Sequence, residues 1–174
     1  MDDWTMYGLI KDHLENLLLM LERCPQHQIT LNSKKCIFCT PFGILLGHIV
    51  CKQGLLVDPA KIALILSFPP PTSVKMLWVK LGHTRYYHKF IKGYVVIIAP
   101  MEKLLKKDVV FIWSPKGQGI FDMLKDNMAL VYLLVFLDWN KQFHVHVDAS
   151  FVALGVVLAH PGEGDLYHPI SFTS

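Results

Sequence analysis

Leucines at positions 14, 17, 18 and 21 recur at the spacing of one helix face, with polar residues between them. The pattern predicts an amphipathic helix over residues 9–23. Asp12 and Glu15 sit in its early turns and Arg23 in its last, as the helix macrodipole favours, and Pro25 is expected to end it. The period then changes. Short apolar runs, ITL, CIFC, GILLGHIVC and LLV, are separated by NSKK, TPFG and KQG, which reads as antiparallel β structure over residues 29–57. Lys52-Gln53-Gly54 is expected to turn a hairpin, with the glycine supplying a positive φ.

Helical signals follow. Asp58-Pro59 joins an N-cap carboxylate to a proline at the first helical position, and that helix is expected to run to about residue 68. Pro69-Pro70-Pro71 then forms a stiff extended spacer. Thr72 or Ser73 caps the next helix, which is expected to reach Leu81 and to break or bend at Gly82. A further helix is expected after Ala99-Pro100, carrying Leu104 and Leu105 and ending at Lys106-Lys107. Ser114-Pro115 repeats the cap-plus-proline signal, with Phe121, Leu124 and Met128 marking the buried face. Near the C-terminus Phe143, Val145 and Val147 alternate with His144, His146 and Asp148, predicting a strand with one apolar and one polar face. Residues 152–159 and 167–173 read as two more strands, turned by Gly162 and Gly164. The order gives an α+β class, two mixed pieces joined by helices.

Composition narrows the choice of partners. The chain has 174 residues, 52% of them apolar, and a mean hydropathy of +0.36, which argues against disorder. Its longest apolar run, ALVYLLVFL at 129–137, is shorter than the roughly 18 residues a membrane span needs and suits a buried element. Two acids and no basic segment follow Met1, so no secretory signal is expected and the chain reads as intracellular, cytoplasmic or nuclear. The net charge of +3 matters less than its distribution. Residues 74–94 hold Lys75, Lys80, Arg85, Lys89 and Lys92 with no Asp or Glu, interleaved with Trp78, Tyr86, Tyr87, Phe90 and Tyr94. Cations neutralise phosphates and aromatic faces stack on bases or sugars. The same stretch also suits helices with an apolar core face and a solvated basic face.

Three groups carry candidate chemistry. Asp2-Asp3 supply oxygen ligands suited to hard divalent cations, and paired metals about 4 Å apart can clamp an in-line phosphoryl displacement. Solvated acids near a chain start are the plainer reading. Asp148, on the polar face of its strand with His144 and His146, is a second candidate ligand, or a strand-end Asp closing an Asx turn. Cys36-x-x-Cys39 followed by His48 and Cys51 has zinc-ligand types, although CIFC also alternates like a core strand.

Read in order, these stretches resemble the polymerase–ribonuclease H junction of gypsy-type LTR retrotransposon and retrovirus-like Pol polyproteins. Met1-Asp2-Asp3 resembles the end of the Tyr-x-Asp-Asp box of a reverse transcriptase. Residues 31–38 (LNSKKCIF) resemble the family's Leu-Asn-x-x-Lys-Cys-x-Phe strand, and Leu45-Leu46-Gly47-His48 its primer-grip hairpin. Asp58-Pro59-x-Lys61, the proline run, Leu81-Gly82 and Tyr86-Tyr87-x-x-Phe90-Ile91 resemble the thumb. Phe111-x-Trp113-Ser114-Pro115, Asp148-Ala149-Ser150, residues 155–158 (GVVL) and His168-Pro169-Ile170 resemble the passage into the ribonuclease H-like region. Departures include Trp78 where an arginine is usual, no proline in residues 131–137, and Gly119-Ile120-Phe121 in the linker helix.

The resemblance implies a palm end with its primer-grip hairpin at 1–57 and thumb-like helices at 58–108. It implies a linker helix with the first strands of an RNase H-like mixed sheet, truncated, at 109–174. It assigns Asp2, Asp3 and Asp148 as catalytic and Mg2+-binding carboxylates, the first two to polymerase and the third to ribonuclease H. It assigns Gly47, His48, Lys75, Lys80, Arg85, Tyr86, Tyr87, Lys89 and Lys92 to primer–template binding. The resemblance implies that both catalytic sets are incomplete in this sequence, and a two-metal centre needs all of its ligands. The expected function is therefore nucleic-acid binding within an RNA-directed DNA polymerase and ribonuclease H, with the remaining palm, fingers or ribonuclease H segments as partners. A domesticated, non-enzymatic interaction module using exposed apolar and strand-edge surfaces is the alternative.

Overall fold

The computed structural model describes residue 6 and residues 10–38, 40–131, 133–151, 153–164 and 166–174. Asp2, Asp3, Cys39 and Val152 lie outside the described residues. The chain opens with α1 (Ile10–Gln26), followed by a three-stranded antiparallel meander, β1 (Phe42–Leu45), β2 (His48–Cys51) and β3 (Gly54–Val57). Four helices come next: α2 (Pro59–Leu66), α3 (Val74–Arg85), α4 (Tyr94–Lys103) and α5 (Pro115–Ala129), with a 3₁₀ turn at His88–Phe90 between α3 and α4. A second antiparallel sheet, β4 (His144–Ala149), β5 (Leu154–Pro161) and β6 (Tyr167–Thr173), ends the chain. The described residues thus form a mixed α and β fold, and no helix among them is long and apolar enough to cross a membrane.

The helix starts follow their caps. Asp58 accepts a hydrogen bond from the Ala60 amide at 2.9 Å, Ser73 from Met76 at 3.2 Å and Ser114 from Gly117 at 3.2 Å, each satisfying an amide the first turn leaves unpaired. Helix packing follows the apolar spacing. Phe121, Leu124 and Met128 of α5 are fully buried with Leu77 of α3 and Met101 of α4, and Val57 and Ile65 complete the layer beneath the meander. At the centre Thr84 Oγ1 and Tyr94 Oη lie 2.9 Å apart, a buried polar pair in which each hydroxyl has a partner.

The two sheets meet through residues 133–135. The Leu55 amide donates to Leu134 O at 2.7 Å and the Leu134 amide returns the bond to Leu55 O at 3.1 Å. The Val135 amide donates to Pro169 O at 2.9 Å, tying the same segment to β6. Gly54 makes this approach possible. Its φ is +147°, and a Cβ there would collide with the Leu134 carbonyl oxygen. The KQG hairpin therefore has its glycine for close approach as well as for the turn.

Several sequence expectations are corrected. Residues 29–31 and the described part of CIFC form no strand; Ile37 and Phe38 are exposed, so no packed face holds them extended. GILLGHIVC is two strands, because Leu46 (φ +47°) and Gly47 (φ +73°) both take left-handed backbone and make a two-residue hairpin turn. Pro25 lies inside the last turn of α1, which is carried past it by the His27 amide bonding Arg23 O at 3.2 Å. Gly82 does not break α3, since Leu81 and Thr84 on either side of it are buried and hold the helix through to Arg85. The helix expected after Pro100 instead begins at Tyr94 and contains Pro100, because Tyr94, Ile98 and Met101 form its buried face. That packing outweighs the poor helix propensity of the Val95–Ile98 stretch, residues 95–98 (VVII). Among the described residues of 129–137 only Leu134 is buried, while Leu130, Leu133 and Phe136 are exposed. On β4 the valines as well as the polar residues are open, Val145 at 57% and Val147 at 61%, because core contact reaches this sheet through Phe172 and Val157.

Two measurements check the core. Phe121→Ala removes a fully buried ring and is expected to cost about 3–5 kcal/mol of unfolding free energy in denaturant titration. Burial, the main cause, raises the Tyr94 phenol from 10.0 to about 12. A folded pKa above the unfolded one means that the neutral phenol is favoured by folding, so its contribution is complete below pH 10 and is lost as pH rises towards 12. Alkaline unfolding followed by circular dichroism should therefore lose part of its pH dependence over that window in Tyr94→Phe.

Candidate nucleic-acid interface

The β1–β2 turn is fastened to the end of α3. Tyr86 Oη donates to Leu46 O at 2.8 Å and Tyr87 Oη donates to Gly47 O at 3.2 Å. The Asp58 amide also donates to Gly47 O, at 3.2 Å. His48 Nδ1 lies 3.0 Å from Leu46 O, and since a carbonyl can only accept, Nδ1 carries the proton. The two turn carbonyls therefore accept four hydrogen bonds from three different parts of the chain. Gly47 is required here for a second reason: a Cβ would sit 2.7 Å from Tyr87 Oη.

His48 is the enclosed member of this group. Only 8% of it is exposed, and its ring packs against Tyr86, Tyr87 and Phe90 with centroids 5.4, 5.4 and 5.5 Å away. Nε2 is buried with no hydrogen-bond partner. Burial first, and then the Lys89 ammonium, lower its pKa, which keeps the ring neutral. The Tyr87 hydroxyl is shifted upward by burial, with smaller contributions from Tyr86 and Asp58. Of the residues expected to contact nucleic acid, His48 and Tyr87 are thus inside, holding the turn, while Tyr86 keeps an exposed ring face.

Lys80 also faces inward. It is 6% exposed, its ammonium donates to Pro69 O, and it lies 5.9 Å from the centres of the Phe68 and Phe121 rings. Lys125 donates to Phe68 O at 2.6 Å and lies over the same Phe121 ring at 4.9 Å. The two cations serve carbonyls at the start of the proline spacer that the helices leave unpaired. Burial and then the neighbouring Lys125 charge lower the Lys80 pKa. Lys80 is accordingly part of the α2–α3–α5 packing and not of a surface.

What remains outside is a continuous stripe. On α3 the exposed positions Lys75, Trp78, Val79, Gly82 and Tyr86 follow helical spacing, with Arg85 beside them, opposite the buried Leu77, Leu81 and Thr84. Lys92 is exposed just beyond, and Lys89 is half-buried with its ammonium 5.4 Å from the Phe90 ring centre and its pKa lowered by burial. Trp78, Gly82 and Tyr86 form one wall of an open cleft of about 540 Å³ whose other walls are the Leu46–Gly47 turn and Lys61 and Leu64 of α2. Nothing stands within 4 Å of a Cβ built on Gly82, so the middle of the stripe is bare backbone. Lys61 was not among the expected binding residues; its place one turn after the Asp58 cap is the signal that sets it on this cleft.

The candidate metal ligands are not brought together. Asp148 is exposed on β4, paired with Gly155, and Asp2 and Asp3 lie outside the described residues. Among the described residues no three His, Cys, Asp or Glu side chains form a metal-binding group. Of the cysteine cluster, Cys36 Sγ donates to Asn32 O at 3.3 Å and Cys51 Sγ to Gly54 O at 3.5 Å, while His48 is committed to the turn.

The RNase H-like domain found in reverse transcriptase matches residues 113–174. The retrovirus-related Pol polyprotein from transposon 297 of Drosophila melanogaster is 36% identical over 177 residues, covering 100% of this chain and 16% of that polyprotein. The Pol polyprotein from transposon 412 of the same species is 30% identical over 175 residues, covering 100% of this chain and 14% of the relative. The Tf2-3 transposon polyprotein of Schizosaccharomyces pombe is 27% identical, again over 100% of this chain and 13% of the relative. The chain thus spans about one-sixth or less of the curated relatives it matches. In structure it is similar to the foamy viral protease–reverse transcriptase solved with double-stranded DNA, with a TM-score of 0.79 and 16% identity over 96% of this chain and 29% of that one. The same viral protein solved with an RNA/DNA hybrid gives a TM-score of 0.78 and 17% identity over 95% of this chain and 22% of that one. A reverse-transcriptase RNase H-like match covers the C-terminal third, and from end to end the chain is similar to the retrovirus-related Pol polyproteins of retrotransposons.

Proposed function

We propose that this chain supplies the duplex-holding part of a reverse transcriptase–ribonuclease H. In this reading residues 1–57 are the end of the palm with its primer grip, 58–108 the thumb, and 109–174 the linker helix and first strands of the RNase H-like region. The observation that carries it is the exposed α3 stripe, Lys75, Trp78, Gly82, Arg85 and Tyr86, of which Trp78, Gly82 and Tyr86 share a cleft with the Leu46–Gly47 turn, with no carboxylate in residues 74–94. Cations along a helix neutralise phosphates, the indole and phenol rings stack, and the bare backbone at Gly82 admits close approach. That solved relatives of the fold were captured with double-stranded DNA and with an RNA/DNA hybrid supports the choice of ligand. The binding set becomes Lys61, Lys75, Trp78, Gly82, Arg85, Tyr86, Lys89 and Lys92, with Gly47, His48 and Tyr87 positioning the turn and Lys80 excluded.

Magnesium fits only partly. Asp148 offers an exposed hard-oxygen ligand of the type Mg2+ prefers. One carboxylate does not make a two-metal site, and in this reading Asp148 would hold the ion together with carboxylates outside its own sheet. Asp2 and Asp3 stand in the same relation to the polymerase centre. Binding is therefore the activity assigned to this chain. An interaction-module reading is favoured by one observation, the exposed leucine face of α1 with Leu14, Leu18 and Leu21 open. Obligate self-association in size-exclusion chromatography without any duplex shift would support that reading instead.

Titrating a fluorescent RNA/DNA duplex at several salt concentrations tests the proposal. Affinity should fall steeply with salt, by about 0.9 in log K per decade of salt for each phosphate engaged. Arg85→Gln and Lys92→Gln should each flatten that slope by about 1. An affinity indifferent to salt contradicts the proposal.

Gly82→Ala separates fold from function. At this open helical position it should stabilise α3 by about 1 kcal/mol in thermal unfolding. Duplex affinity should nevertheless drop, because the methyl group occupies the point of closest approach. An unchanged affinity would remove Gly82 from the interface.

A further inference from the structure

β4 and β6 build a second cluster that the duplex reading does not use. His144 and His146 are two residues apart on β4, paired across β5 with Ala159 and Val157, so both imidazoles lie on the same face of the sheet. Their ring centroids are 6.2 Å apart. Tyr167 of β6 lies against both, with centroids 5.4 Å from His144 and 4.5 Å from His146, and its hydroxyl is 3.2 Å from His144 Nδ1. All three residues are exposed.

We propose that His144 and His146 chelate one borderline divalent metal ion, of the Zn2+, Ni2+ or Cu2+ class, with Tyr167 as a positioning residue. Imidazole nitrogen suits these ions and not Mg2+ or Ca2+, which take oxygen. The spacing is close to what coordination requires. A metal–nitrogen bond of about 2.0–2.1 Å sets each ring centre about 3.2 Å from the ion, so two bound rings are roughly 5–6 Å apart. The observed 6.2 Å is reached from there by a small side-chain rotation, which exposed histidines on a strand can make.

Tyr167 supplies the orientation such a site needs. When His144 donates its Nδ1 proton to the phenol oxygen, Nε2 is left as the free lone pair, the same outer hydrogen bond that fixes metal-ligating histidines generally. The edge-on contact of Tyr167 with His146 restricts the second ring. Remaining coordination positions are open to water. The site depends on the β4–β6 sheet alone and stands or falls independently of duplex binding.

The test is a titration of ZnCl2 into the full, nitrogen-15-labelled chain, following the imidazole nitrogens by NMR so that thiol binding elsewhere does not interfere. The His144 and His146 ring signals should move together along a single binding curve. His146→Gln should weaken the His144 response at least about tenfold, and Tyr167→Phe should weaken both by about tenfold with the backbone amide spectrum of the sheet preserved. His144→Gln provides the reciprocal check. Independent movement of the two signals, an unchanged His144 curve in His146→Gln, or an equal response to MgCl2 would overturn the proposal.

Discussion

Two carbonyl oxygens, those of Leu46 and Gly47, organise the surface on which the functional reading depends. They belong to a turn in which Leu46 adopts left-handed backbone, a conformation costing a non-glycine residue roughly 1–2 kcal/mol. Hydrogen bonds from Tyr86, Tyr87, His48 and the Asp58 amide hold it there. At about 1 kcal/mol each, these bonds offset the strain and join the tip of one hairpin to the end of a helix forty residues later in the chain. The cleft between turn and helix exists because this fastening sets its width. His48 makes the arrangement sensitive to protonation, since a charged ring would carry an Nε2 proton into a space with no acceptor.

The same economy governs the basic stretch. Five cations in residues 74–94 look like one electrostatic surface when read as a string. In the fold they divide. Lys80 serves a carbonyl of the proline spacer, Lys89 lies half-buried over Phe90, and Lys75, Arg85 and Lys92 face solvent. A proline run has carbonyls but no amide donors of its own, so where helices pack over it the donors come from side chains. Lys80 meets that need at Pro69 and Lys125, from another helix, serves the Phe68 carbonyl just before the run, and this is why charge counting overstates the surface available to a phosphate backbone.

Legibility in the sequence followed the range of the interactions. The caps at Asp58, Ser73 and Ser114, the buried trio of α5 and the three C-terminal strands were readable because each rests on neighbours a few residues away. α4 was displaced in the sequence reading, since Pro100 signals a first turn locally while the burial of Tyr94, Ile98 and Met101 extends the helix before it. CIFC alternates like a strand but found no packed face among the described residues, and alternation alone does not make a sheet. At the candidate site the residue types were readable and their roles were not. Tyr87 and His48 were expected at the ligand and serve the turn, because the contacts that occupy them span some forty positions. Trp78 departs from the family pattern, yet it is the most open aromatic of the stripe.

In the proposed function a duplex lies along the α3 stripe, against the Leu46–Gly47 turn. An NMR footprint taken as an RNA/DNA duplex is added tests it most directly. The Trp78 indole N–H and the amides of Gly47, Gly82 and Tyr86 should shift together, while those of α1 and β4 stay in place. A footprint centred on the leucine face of α1 or on β4, with the Trp78 signal unmoved, would contradict it.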